Sequence, residues 1–300
     1  MRATIQLCTY NRAALLERVL DACFEQTVPD GSYEVVLVDD GSTDSTPDVI
    51  ARARERATCR FVAVRQPNGG LAKARNNGIA HASGERIAFI DDDVLPLPNF
   101  VQEHLRSHQA HPHAVVRGAA INVESFDDLP PPVWSIRNYS GNFFWTTNVS
   151  VPLATMRAIG GFNESFAEYG WEDIDVGLRL RFAGVKAVFN KDALVYHYKP
   201  PVRISGVERS LNQARAQART AVQLSKLHPH WRTALATGDF APVRLIERWL
   251  RGIDAPRGDR LAAPPGDADR ALSARELRAF RRLRRRAYFE ELERVRAGGG

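Results

Sequence analysis

Residues 85–96, "ERIAFIDDDVLP", run from a β-prone apolar segment straight into three consecutive aspartates. The apolar part, "RIAFI", has the composition and length of a buried strand. The same design, an apolar run ending in polar residues, occurs twice more upstream. "ATIQLCTY" (3–10) leads into "NR", and "YEVVLVDD" (33–40) leads into "GSTD". "RFVAVRQ" (60–66) reads as a further strand, and helical patterns lie between: "ALLERVLDACFEQ" (14–26), "TPDVIARARERA" (46–57) and "GLAKARNNGIAHA" (70–82). Strands alternating with crossover helices predict an α/β fold, Rossmann-like, with a mostly parallel sheet flanked by helices. Ligands of such sheets bind beyond the carboxyl ends of the strands, where the polar clusters fall.

Three adjacent carboxylates raise one another's pKa unless they fan into water or a positive charge sits among them. On strand geometry Asp91 and Asp93 share a face and Asp92 takes the other, so two carboxylates could converge on a hard cation. A solvated turn is the competing reading. Neither a G-x-G-x-x-G nor a P-loop follows the first strand, so a bound nucleotide would have to be held by carboxylates and a metal.

Past residue 110 the pattern changes. "AVVRGAAINV" (114–123) reads as a strand and precedes a Pro-rich aromatic stretch, "DDLPPPVWSIRNYSGNFFWTTN" (127–148). Such a long irregular connection is functional or disordered, and its aromatic content argues for order. "ATMRAIGGFNESF" and "WEDIDVGLRLRFAG" read as helices with glycine stops, "ALVYHYKP" as a last strand, and residues 206 to 235 as helical. The expected organisation is a domain over 1–205, with halves 1–110 and 111–205, then a helical extension (206–253), a linker (254–270) and a basic amphipathic helix and tail (271–300).

With 300 residues at 44% hydrophobic, the chain can bury a large core. No apolar run approaches a membrane span, and "MRATIQLCTYNR" lacks a signal-peptide design, so a cytoplasmic location is expected. Cys8, Cys23 and Cys59 lack metal-type spacing and read as structural thiols. The sequons at Asn138, Asn148 and Asn163 matter only in a secreted protein. Residues 270–296 carry ten Arg and four Glu, a balance equal to the net charge of +6, so the body of the chain is neutral. That distribution argues against a nucleic-acid partner. The tail "LSARELRAFRRLRRRAYFEELERV" places Leu277, Phe280, Leu283, Ala287 and Tyr288 at helical spacing among arginines. It can lie on an anionic membrane, making the protein peripheral at its inner face, or dock against the protein itself or a partner with its arginines in water.

"TYNR", "VDDGSTD", "NGGLAKARNNGI" and "FIDDDVLP", in this order and spacing, resemble the nucleotide-sugar half of family 2 glycosyltransferases, the GT-A fold. "TTNVSVPLATMRAIGGFNESFAEYGWEDIDVGLRLRFAG" resembles the acceptor side of that family and the C-terminal segment of galactosyltransferases. The resemblance reaches to about residue 200. It implies an inverting, metal-dependent glycosyltransferase that moves a hexose from a nucleoside diphosphate sugar, UDP-galactose or another UDP-hexose first, to a hydroxyl of a glycan or lipid-linked acceptor. Other readings are a non-catalytic nucleotide-sugar-binding or scaffold protein, and a sugar nucleotidyltransferase, whose glycine-rich first loop is missing.

Carried over by resemblance, Asp91, Asp93 and His197 would hold Mn2+ or Mg2+, and Asp92 would contact the ribose or the metal shell. Asp40 takes the base-binding position beside Asp39, with Thr9, Tyr10, Asn11 and Arg12 nearby and Arg75 close to the donor. Asp44 and Ser45 are ordinary helix caps. The second acid of the Glu172–Asp173 pair is the general base. On a helix Glu172 and Asp175 share a face while Asp173 is rotated away. A helix start decorated with acids for dipole reasons is the alternative. Trp134, Gly161, Trp171 and Glu172 are the acceptor-side candidates, Trp134 because aromatic faces stack on sugars.

Overall fold

The computed structural model describes residues 2–254 and 269–298. The chain forms two compact units, one of Met1–Ala167 with Glu172–Lys199 and one of Glu168–Trp171 with Pro200–Gly300.

In the first unit, β1 (Ala3–Thr9), β2 (Tyr33–Asp39), β3 (Arg60–Arg65) and β4 (Arg86–Phe89) alternate with α1 (Ala13–Phe24), α2 (Thr46–Arg56) and α3 (Leu71–His81). These four strands are parallel, in the order β3-β2-β1-β4. Central strands buried on both faces must be apolar almost throughout. β1 and β2 are accordingly buried along nearly their whole length.

The second half of the sheet departs from the expected parallel arrangement. β5 (Val94–Pro96), β6 (Val115–Val123), β7 (Val149–Pro152) and β8 (Ala187–Tyr198) extend it in the order β4-β7-β6-β8-β5. β7 runs antiparallel to β4 and β6, and β5 antiparallel to β8, while β6 and β8 are parallel. The sheet is therefore mixed, and β5 and β7 are too short to give a readable period. Two helices complete this half. α4 (Phe100–Ala110) packs on β8, and α5 (Leu153–Ala158) follows β7 directly. α6 (Glu172–Phe182) carries the acidic motif in its first turn.

Register sets the site. Thr9 pairs with Asp39 at the tips of β1 and β2, and Val94 pairs with His197 across β5 and β8. The tips of β1 and β2 and the turn after β4 thus open at one end of the sheet, and His197 is brought to that turn.

The second unit is helical: α7 (Val207–Leu227), α8 (Trp231–Thr237), α9 (Ala241–Asp254) and α10 (Ala274–Gly298). The single helix read over 206–235 is two, broken at "HPH" (228–230), where a proline removes a donor. Phe280, Ala287, Phe289 and Leu292 of α10 are buried, and Phe289 and Leu292 pack with Ala218, Ala221 and Val222 of α7. Of the two readings of the basic tail helix, docking on the protein is the one its apolar face adopts. The linker read over 254–270 lies almost wholly outside the described residues. No helix among the described residues is long and apolar enough to cross a membrane. Cys8, Cys23 and Cys59 are free thiols.

Candidate active site

The three aspartates do not lie on a strand. β4 ends at Phe89, and Asp92 and Asp93 form a turn closed by the Val94 N–H donating to the Asp91 carbonyl. The alternation that put Asp91 and Asp93 on one face therefore does not apply, and the carboxylates fan out to three partners. Asp91 accepts from the Arg75 guanidinium at 3.1 Å and from the Thr147 hydroxyl at 2.9 Å. Asp92 accepts from Thr9 Oγ1 at 2.8 Å, with Arg12 at 4.0 Å. Asp93 lies 3.5 Å from His197 Nε2 and 3.7 Å from Arg12.

Their proton affinities diverge accordingly. Burial pushes Asp92 up to about 7, against the pull of Arg12 and Thr9. Burial also opposes ionisation of Asp93, but its hydrogen bond to His197 and the charges of His197, Lys199 and Arg12 hold it below the usual carboxylate range.

At the strand tips the two adjacent aspartates differ. Both Asp40 oxygens are occupied: Oδ1 accepts from Gln66 Nε2 and the Gly69 N–H, and Oδ2 from the Gly70 N–H. Asp40 therefore braces the loop between β3 and α3. Asp39 Oδ1 accepts from the Ser42 N–H, while its buried Oδ2 makes no hydrogen bond and sits 3.6 Å from Arg65 Nε. Asn11, in the left-handed region at φ 54°, holds the next loop by accepting from the N–H groups of Thr43 and Asp44. Tyr10 is exposed beside it. Asp44 caps α2 by accepting from the Thr46 N–H, whereas Ser45 makes no capping bond.

α6 supplies the other acids, and they part company within one turn. Glu172 accepts from Arg75 at 2.9 Å. Asp175 is buried and pairs with Arg179 one turn on, at 2.6 Å, so the face it shares with Glu172 does not deliver both to one partner. Asp173 accepts from the Ile174 N–H and has no ion-pair partner among the described residues. Burial, then the neighbouring Glu172 charge, push it up to about 7, with Arg75 opposing. Arg75 is buried and ties α6 to the aspartate turn, bonding Glu172, Asp91 and the Thr146 hydroxyl. Loss of hydration disfavours its charge, but Glu172 and Asp91 more than offset this, and its pKa rises.

Of the acceptor-side candidates, Trp134 packs at 6.2 Å from Phe189 and lines a cavity of about 520 Å³ with Arg106, Asn190 and Lys191. Gly161 has φ +69°, and a Cβ there would meet Asn76 Oδ1 at 2.5 Å. Asn76 bonds both the N–H and the carbonyl of Phe162, so the "GGFN" turn is latched to α3. Trp171, at φ 71°, donates its indole N–H to the Gln217 carbonyl. Thr146 and Thr147 escaped the sequence reading; a "TT" pair before a short strand carries no periodic signal, and their role follows from β7 pairing beside β4.

Asp93 and His197 offer a hard oxygen and an imidazole nitrogen, a pair suited to Mn2+. Asp91 is taken up by Arg75 and Thr147, and no group of three His, Cys, Asp or Glu residues able to hold a metal is assembled among the described residues. The fit is to a metal that takes two protein ligands, the rest of its shell coming from elsewhere.

A Rossmann-like sheet with carboxylates at its strand tips and an acidic helix in the same unit is an arrangement of the GT-A kind. The model for glycosyl transferase family 2 matches residues 4–162, and the chain belongs to that family. The model described as N-terminal domain of galactosyltransferase matches residues 134–201. Validoxylamine A glucosyltransferase of Streptomyces hygroscopicus subsp. jinggangensis is 32% identical over 226 residues, covering 63% of this chain and 54% of the relative. Poly(ribitol-phosphate) beta-glucosyltransferase of Bacillus spizizenii is 37% identical over 141 residues, covering 44% and 22%. The chain spans about half the length of the first of these relatives. Among solved structures, a mannosyltransferase from Pyrobaculum calidifontis in complex with GDP-Man and Mn2+ superposes with TM-score 0.62 at 18% identity, covering 98% of this chain and 86% of that one. S. aureus TarS does so with TM-score 0.59, also at 18% identity, covering 99% and 92%. These likenesses establish the GT-A fold.

Proposed function

We propose that the chain is an inverting glycosyltransferase moving a hexose from a nucleoside diphosphate sugar, UDP-linked by preference, to a hydroxyl of a glycan or lipid-linked acceptor. The observation that carries the reading is Arg75. One buried guanidinium spans from Asp91, beside the donor strand tips, to Glu172, beside the general-base candidate. It thereby fixes the spacing of the two half-sites, which a single displacement requires. The residues given catalytic roles here all lie in the first unit.

Asp173 takes the proton of the acceptor hydroxyl as its oxygen bonds to the anomeric carbon. The bond from that carbon to the donor phosphate breaks, and its electron pair leaves with the nucleoside diphosphate. One displacement inverts the centre. Asp173 suits the role because a base works best when its pKa lies near the working pH. Asp39, whose buried Oδ2 makes no hydrogen bond and has the Arg65 charge 3.6 Å away, is the better acceptor for a base N–H, and Asp40 supports it through the 66–70 loop. Arg12, close to Asp92 and Asp93 and partly exposed, is placed to meet the donor phosphates. Asp93 and His197 would hold a divalent metal, Mn2+ or Mg2+, which supplies Lewis-acid stabilisation of the departing phosphate when bound. UDP is preferred because the galactosyltransferase-type segment is present and TarS has been solved with UDP-GlcNAc.

The test is release of nucleoside diphosphate from a panel of UDP-, GDP- and dTDP-sugars, with Mn2+ or with chelator, alongside donor binding. Metal-dependent release or binding with one donor, lost in Asp93→Ala, is expected. Absence of both across the panel overturns the proposal.

A further inference from the structure

Most of the exposed large apolar side chains of the second unit, among the described residues, lie on α8 and α9 and between them. α9 is held to its unit by one side: Val243 packs with the α7–α10 cluster, Arg244 pairs with Asp239, Glu247 with Arg285 and Arg248 with Glu293. On its other side Leu245, Ile246 and Trp249 are 65%, 56% and 67% exposed, at spacings that put them on one helix face. Trp231 and Leu235, one turn apart on α8, and Phe240 between the helices are exposed as well. Six large apolar side chains within nineteen residues is far more than the scattered exposure expected of a surface.

The charge around them narrows the occupant. Residues 200–300 carry 21 Arg and Lys against 11 Asp and Glu, whereas residues 1–199 carry 20 against 24. The acids near the apolar face are already neutralised: Asp239 by Arg244 and Arg296, Glu247 by Arg285, and Glu293 by Arg248. Arg275, Arg278, Arg281 and Arg284 of α10 are exposed, Arg248 is largely exposed, and Arg232 stacks 4.6 Å over the Trp231 ring. A nucleic acid would use the arginines and leave the apolar face wet. A second copy would bring one basic unit against another, with like charges opposed. An anionic lipid surface satisfies both features, since tryptophans and aliphatic side chains enter the headgroup boundary while arginines meet lipid phosphates.

We infer that α8 and α9 form an in-plane membrane anchor, with Trp231, Leu235, Phe240, Leu245, Ile246 and Trp249 entering the interface of an anionic bilayer. This transfers lipid contact from the apolar face of α10, which packs inside the protein, to α9, leaving α10 to contribute charge. It does not depend on the transferase reading.

The full chain is tested by flotation with vesicles of phosphatidylcholine alone and with about 30% phosphatidylglycerol. Binding to the anionic vesicles at least about tenfold tighter than to neutral ones is expected, falling about tenfold or more in Leu245→Ser/Trp249→Ser. Both replaced side chains are exposed, so the melting temperature should hold. A second variant, Arg278→Gln/Arg281→Gln/Arg284→Gln, keeps the apolar face and should weaken anionic binding and its salt dependence. No binding to anionic vesicles overturns the proposal, as does unchanged binding by Leu245→Ser/Trp249→Ser. Loss of a dimer, rather than of vesicle binding, in sedimentation of that double variant also overturns it and assigns the face to a second copy.

Discussion

Asp173 combines a raised proton affinity with the general-base role proposed for it, and both have measurable consequences. Its pKa is lifted to about 7, so the base is protonated in acid, and kcat/KM should fall about tenfold per pH unit below 7 and level off above it. Asp173→Asn should lose about 10²–10⁴-fold in turnover with donor binding retained. The same shift has a stability sign. A carboxylate whose folded pKa exceeds its unfolded value penalises the fold as pH rises through the window between them, from near 4 to near 7. The amide variant should therefore melt a few degrees higher than the parent at pH 8 and no higher at pH 4. Equal melting at both values would mean that Asp173 ionises freely. Arg75 behaves oppositely: Arg75→Met leaves Glu172 and Asp91 uncompensated, and a loss of about 3–5 kcal/mol is expected in denaturant unfolding. The sequence placed Arg75 near the donor, but its bridge to α6 spans 97 positions of chain and has no local signature.

At the scale of elements, the "GGFN" turn and the α4–β7 contact carry the next predictions. Gly161 sits at positive φ against Asn76, so Gly161→Ala should cost about 1–3 kcal/mol in chemical unfolding, and more than Gly184→Ala, whose surroundings are open. Between α4 and β7, His104 Nδ1 and His108 Nε2 both contact the Ser150 hydroxyl, and His104 Nε2 contacts Asn148. Burial pushes His104 down to about 4 and His108 to about 3. For a histidine depressed below its unfolded value, stability is intact above about 6.5 and lost as pH falls toward 4. Melting temperature should drop through that window, and His104→Gln/His108→Gln should flatten the drop. The helices of the first hundred residues were legible from their 3.6 period, and the parallel strands from short continuous apolar runs that end in polar clusters. β5, β7 and the break between α7 and α8 were not, since three- and four-residue strands take their identity from partners rather than from their own pattern.

For the whole molecule, a ligand that binds only the folded first unit should stabilise it by mass action. UDP-hexose with Mn2+ at a hundredfold excess over Kd should add about 2.7 kcal/mol, seen as a raised melting temperature that chelator and Asp93→Ala abolish. The sequence by itself determined the α/β class, the alternation of the first four strands with helices, and the identity of the residues at the strand tips. Those follow from hydrophobic period and from the rule that polar residues collect where apolar strands end. Only the tertiary structure decided which partner each carboxylate takes. Asp40 is spent on a loop, Asp91 on Arg75 and Thr147, and Asp175 on Arg179, while Asp39 keeps one oxygen and Asp173 keeps its proton to near neutral pH. A carboxylate's chemistry is set by the donors and the dielectric around it, and these come from elements remote in the chain.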